Sequence, residues 1–117
     1  MPTRTSATTL DAVRATVTGV REAEVAQLLA VLDWVVEHTV VGVDPHAVSF
    51  GQRPLALGGI GCPVIDEFDA YDLALSLGMS SDAGCRYLAH ALELRYRLPR
   101  LYQAVVDQRL PVWKAFR

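Results

Sequence analysis

Thr9-Leu-Asp-Ala-Val-Arg-Ala-Thr-Val-Thr-Gly-Val-Arg-Glu-Ala-Glu-Val-Ala-Gln-Leu-Leu-Ala-Val-Leu-Asp-Trp-Val-Val-Glu-His38 is the stretch on which the fold turns. Its apolar residues fall at Leu10, Val13, Val17, Val20, Val25, Leu28, Leu32 and Val35, a spacing that follows the 3.6-residue period almost without a break. One long helix over about 9–38 is predicted. Thr9 is placed to cap it, and Asp11 falls in the first turn, where a carboxylate complements the helix dipole. Gly19, about 1 kcal/mol worse than alanine inside a helix, is the point at which the run could divide. A helix of that length exceeds what a small core can cover, so part of its apolar face is expected to pack against a partner.

Outward from this run the period is lost. Residues 39–62 hold Asp44-Pro45, Gly51, Pro54 and Gly58-Gly59-Ile60-Gly61, which is turn and loop chemistry, with a short extended piece expected at 47–50. Helical signals return at Pro63, which suits a first turn, and the helix it opens is expected to run to about Leu77. Gly78 ends that helix, and Ser80 or Ser81 caps the next, which continues to about Arg97. Pro99 opens a third helix to about Gln108, and Pro111 begins a last one that contains Trp113 and Phe116 and has no C-cap signal. The expectation is a single all-α domain over 1–117. It has a flexible N-terminus at 1–8, a long helix at 9–38, a loop at 39–62, and a helical cluster at 63–117 that reads as cut off inside its last element.

Composition narrows the class. A chain of 117 residues, 51% hydrophobic and 21% charged, suits one domain and excludes a large multidomain enzyme and a disordered chain. The greasiest segment, residues 25–43, is interrupted by Gln27, Asp33, Glu37 and His38, which argues against a membrane span. Met1-Pro-Thr-Arg4 lacks the apolar stretch of a secretory signal, so a cytoplasmic protein is expected, with Cys62 and Cys85 as free thiols.

Charge is divided unevenly along the chain. Residues 1–85 carry four basic and eleven acidic side chains, a sum of −7, whereas residues 86–117 carry seven basic and two acidic, a sum of +5. The basic set is Arg86, Arg95, Arg97, Arg100, Arg109, Lys114 and Arg117. Such a tail serves either a polyanion or internal pairing with the acidic body.

Residues 71–90 resemble a helix-turn-helix. Ala74 permits close helix approach, Gly78 supplies the turn, and Leu73 and Leu77 face inward, while Gly84 stands where a β-branched anchor is usual. On the second helix Arg86, His90, Glu93 and Arg97 share one face. That face is either a phosphate-contacting stripe or a solvated surface with a Glu93–Arg97 pair, and the second is the simpler reading. Asp66, Glu67, Asp69 and Asp72 crowd the start of the preceding helix, where acidic residues are ordinary dipole complements rather than a metal site. Gly58-Gly59-Ile60-Gly61 lacks the spacing of a phosphate-binding loop and reads as a turn. Neither CxxC nor HxxxH spacing links Cys62, Cys85, His38, His46 and His90, and no motif positions a nucleophile, so no metal, cofactor or catalytic constellation is expected.

Four ordered blocks carry a resemblance to a known family: Gly58-Gly-Ile-Gly-Cys-Pro-Val-Ile-Asp-Glu-Phe68, Leu73-Ala-Leu-Ser-Leu-Gly-Met-Ser-Ser81, Leu92-Glu-Leu-Arg-Tyr-Arg-Leu-Pro-Arg100 and Leu110-Pro-Val-Trp-Lys-Ala115. Over about residues 20–117 the chain resembles the actinobacterial domain-of-unknown-function family 222, known partly from mycobacterial repeat-element proteins. The resemblance implies a helical N-terminal part of a longer protein, many members of which end in an HNH endonuclease domain, and hence a DNA-processing or mobile-element setting. HNH chemistry uses histidines and usually an asparagine, and this chain has no asparagine, so no catalytic residue is carried over. The expected function is a non-catalytic domain that positions a nuclease on DNA through the seven basic residues. The alternative is an interaction module, self-associating or docking on a downstream HNH domain, without direct DNA contact.

Overall fold

A computed structural model describes residues 6–39 and 54–116. Its elements are α1 (Ser6–His38), β1 (Pro54–Leu55), β2 (Ile65–Asp66), α2 (Glu67–Ser76), α3 (Ser81–Arg97), α4 (Pro99–Val106) and α5 (Val112–Ala115). The fold is all-α, one long N-terminal helix followed by a cluster of shorter ones.

The helical period of the first stretch is realised in full. α1 runs for 33 residues without a break at Gly19. At 1.5 Å per residue it is roughly 50 Å long, in a molecule whose longest dimension is 68 Å. It begins at Ser6, so residues 6–8 are helical rather than part of a flexible tail, Thr9 is not the cap, and no acidic residue occupies the first turn. The extended piece expected at 47–50 lies outside the described residues.

Only the C-terminal half of α1 enters the core. Leu28, Val31, Leu32 and Val35 are buried, and they split between two clusters on either side of the contact with α3. Val31 and Val35 join Ile65, Leu73, Leu88 and Leu92. Leu28 and Leu32 join Ala91, Leu94, Val105 and Val112. α3 thus buries apolar residues on two sides, and Tyr87 touches both clusters.

Pro63 does not open a helix, which corrects the expected boundary. Ile65–Asp66 instead pairs antiparallel with Pro54–Leu55, and Thr39 bridges to Ile65. The competing demands are tertiary: Ile65 is fully buried in the core, and Asp66 in extended conformation is the helix cap, accepting the Phe68 N–H at 3.2 Å. α2 therefore starts only at Glu67.

The turn after α2 follows the expected chemistry. Gly78 adopts φ +71°, in the left-handed region that favours glycine. Ser80 then caps α3 by accepting the Ala83 N–H at 3.2 Å. Pro99 sits in the first turn of α4, which stops at Val106 rather than Gln108. α5 follows Pro111 and closes at Ala115 with Phe116 as its cap.

α2 and α3 meet at Ala74 and Gly84. A Cβ on Gly84 would lie 2.1 Å from the Ala74 Cβ and 2.7 Å from its Cα, closer than atoms approach. The glycine standing in place of a β-branched anchor is thus what lets the two helices touch. Gly84→Ala is expected to lower stability by about 1–3 kcal/mol through overpacking, despite alanine's better helix propensity. Gly19→Ala, with no atom within 4 Å of the added Cβ, carries no such cost. Urea denaturation of the two variants checks this, and an unchanged midpoint for Gly84→Ala would refute the close contact.

Candidate functional site

The six basic residues of this set that the structure describes lie on different elements. Arg95, Arg97 and Arg100 gather where α3 passes into α4, and Arg97 and Arg100 line a shallow groove there with Leu98, Pro99 and Leu101. The Arg95 guanidinium lies over the Tyr102 ring at 5.0 Å and the Tyr96 ring at 5.5 Å. Arg86 is exposed near the other end of α3. Arg109 follows α4 and pairs with Asp107 at 3.4 Å. Lys114 lies on α5, with Nζ 5.4 Å from the Trp113 ring centroid. Arg117 lies outside the described residues.

The row Arg86, His90, Glu93 and Arg97 is interrupted at its middle. His90 is half-buried beside the Phe116 ring, 5.2 Å away. Glu93 accepts the Gly59 N–H at 2.6 Å and two bonds from Arg97 at 3.0 and 3.1 Å. Here the Glu93–Arg97 pair of the simpler reading is present, with a backbone amide added to it. Cys62 donates to the Leu92 carbonyl at 3.6 Å, so the turn built on Gly58-Gly59-Ile60-Gly61 is clasped onto α3. Gly61 at φ +88° supplies the left-handed step of that turn. Burial, then the Glu93 carboxylate, pushes the Cys62 thiol up, with Arg97 and the Gly59 backbone acting against them. Burial, then Asp82 and Glu67, does the same to Cys85.

The two helices joined at Gly78 differ in charge, and every charged residue of the first is acidic. Glu67, Asp69 and Asp72 belong to α2, and Asp82 precedes Arg86 at the start of α3. Among the described residues no group of three or more His, Cys, Asp or Glu is placed to hold a metal ion. A duplex backbone would meet net negative charge along this pair of helices.

Two apolar surfaces are more conspicuous than any polar site. The first is the N-terminal arm of α1, where Leu10, Val13, Val17 and Val20 are 46–56% exposed although they continue the stripe that enters the core further along. Beside the arm, Val17, Val20, Pro111 and Trp113 frame an open groove of about 260 Å³. The second surface is on α2, which buries Ala70, Leu73 and Ala74 and leaves Phe68, Tyr71 and Leu75 40–78% exposed. Sequence reasoning anticipated the first and missed the second. The 3,4 spacing of Phe68, Tyr71 and Leu75 was the available signal, but it does not say which face α3 covers.

Between these features Tyr87 is anomalous. Its hydroxyl is buried without a hydrogen-bond partner among the described residues, next to a cavity of about 220 Å³ lined by Glu24, Gln27, Val112, Trp113 and Phe116. Burial, assisted by the Glu24 charge, pushes its pKa up from 10 to about 12.

Set against family models, curated proteins and solved structures, the chain matches none. Among the described residues no helix is long and apolar enough to cross a membrane.

Because the folded-state pKa of Tyr87 is raised, its contribution to stability is complete below about pH 10 and is lost as pH rises through about 12. Tyr87→Phe is expected to be neutral at pH 7, or stabilising by about 1 kcal/mol, since it removes an unsatisfied buried hydroxyl. It should also flatten the loss of stability between pH 10 and 12. Denaturant melts of both proteins across that range are the check, and parallel pH profiles would contradict it.

Proposed function

We propose that this chain is a non-catalytic protein-interaction module whose contact surface is the N-terminal arm of α1. The observation that carries the reading is the exposure of Leu10, Val13, Val17 and Val20 in a row. Scattered exposed apolar residues are normal, whereas a contiguous helical stripe is what a second helix or sheet covers. The arm's charges support a macromolecular contact, since Arg14 and Arg21 flank the stripe on one side. The resemblance to family 222 supports a setting in which one such partner is an HNH nuclease domain.

A second reading, nuclease positioning on DNA, rests on the α3–α4 corner, where Arg95, Arg97 and Arg100 lie near the exposed Tyr96. The interaction reading is preferred because Arg97 pairs with Glu93, Arg109 pairs with Asp107, and every charged residue of α2 is acidic.

Two measurements test the preference. Val13→Asp and Val17→Asp are expected to change stability by no more than about 0.5 kcal/mol, as befits surface positions. A loss of several kcal/mol would show that the arm is packed and would overturn the reading. Anisotropy of a labelled duplex should show no binding that weakens with salt. Binding with a steep salt dependence, lost on reversing Arg95, Arg97 and Arg100, would favour the DNA reading instead.

A further inference from the structure

We propose that the arm of α1 docks on α2 of a second copy of this chain. The inference rests on the reading of the arm as a contact surface and adds the identity of the partner. Its basis is a match between the two apolar stripes that the fold leaves uncovered. Read backwards, the arm presents Val20, Val17 and Val13 at steps of three and four. Read forwards, α2 presents Phe68, Tyr71 and Leu75 at the same steps. Laid antiparallel, the two rows interleave layer by layer, Val20 against Phe68, Val17 against Tyr71 and Val13 against Leu75.

The flanking charges agree with this register. Arg14 and Arg21 follow the arm's Val13 and Val20, and Asp72 follows Tyr71 in the equivalent position of α2. Antiparallel seating brings Arg14 of one copy opposite Asp72 of the other. Arg14 already bonds Asp11 at 3.1 Å, but both side chains are more than 70% exposed, so the exchange costs little. An arm paired with a second arm fits less well. In the antiparallel register that sets Leu10 against Val20, Arg14 would face Arg14 of the other copy, and in a parallel pair Thr9 and Thr16 would face the arginines. The arm and α2 are different surfaces, so two copies exchange arms reciprocally, or further copies add in series.

Sedimentation of the full chain over a wide concentration range tests the proposal at low salt. The wild type is expected to associate. Arg14→Asp and Asp72→Arg should each weaken association about tenfold, since each replaces an opposite pair with a like pair at every contact. Mixing the two variants should restore wild-type association, because every contact in the mixed species again joins opposite charges. Leu75→Asp should abolish association while leaving the melting transition in place.

A wild type that stays monomeric at every concentration overturns the proposal and leaves the arm as a surface for a different protein. Association that Asp72→Arg and Leu75→Asp leave unchanged also overturns it, in favour of arm–arm pairing. Failure of the underlying reading looks different: Val17→Asp would then unfold the chain.

Discussion

The constraint on which this structure depends is a mismatch of length. α1 carries one apolar stripe along its 33 residues, but the helices that pack on it cover only its C-terminal half. Leu28, Val31, Leu32 and Val35 have core neighbours, whereas Leu10, Val13, Val17 and Val20 face solvent. The arm is also a poor helix by composition. Three β-branched valines, two threonines and Gly19 lie between residues 13 and 20, and such residues lose more than alanine or leucine on entering a helix. Its helicity is propagated from the packed half rather than nucleated on its own. The arm therefore belongs to the least stable end of the molecule, and a surface that covers it gains both burial and order.

The second organising contact, Gly84 against Ala74, decides what the rest of the surface looks like. Close approach of two helices requires small residues between them, so α2 turns Ala70 and Ala74 inward and its largest side chains outward. That choice exposes Phe68, Tyr71 and Leu75, and it leaves Asp72 exposed beside them, while Glu67 and Asp69 are half-buried. α2 thereby acquires a face suited to a basic-flanked helix rather than to phosphate. The clasp around Glu93 acts in the same direction, since it commits Arg97 to an internal pair and fixes the Gly58–Gly61 turn on α3.

Most of the helical architecture was legible because its signals are local. The 3.6-residue period gives α1, Gly78 and Ser80 give the turn and cap between α2 and α3, and Pro99 gives the start of α4. What was hidden depends on residues far apart in the chain. The start of α2 moved to Glu67 because Ile65 is used by the core and pairs with Leu55. Glu93 serves Gly59, 34 positions away, a partnership no spacing rule reveals. The basic tail looked like one surface in a charge count, but its described residues are spread over α3, α4, the turn after α4 and α5, and Arg97 and Arg109 each pair with a nearby carboxylate. The exposed face of α2 was hidden for the same reason, because periodicity finds both faces of a helix and only the neighbour decides which is buried.

Residue-resolved hydrogen exchange along α1 tests the central claim most directly. In dilute solution protection should fall in a step near residues 24–25, high at Leu28, Val31 and Val35 and low from Leu10 to Val20. Protection of the arm as strong as that of residues 28–35 in the dilute monomer would contradict the account, for it would mean that the arm is stabilised by the chain's own core.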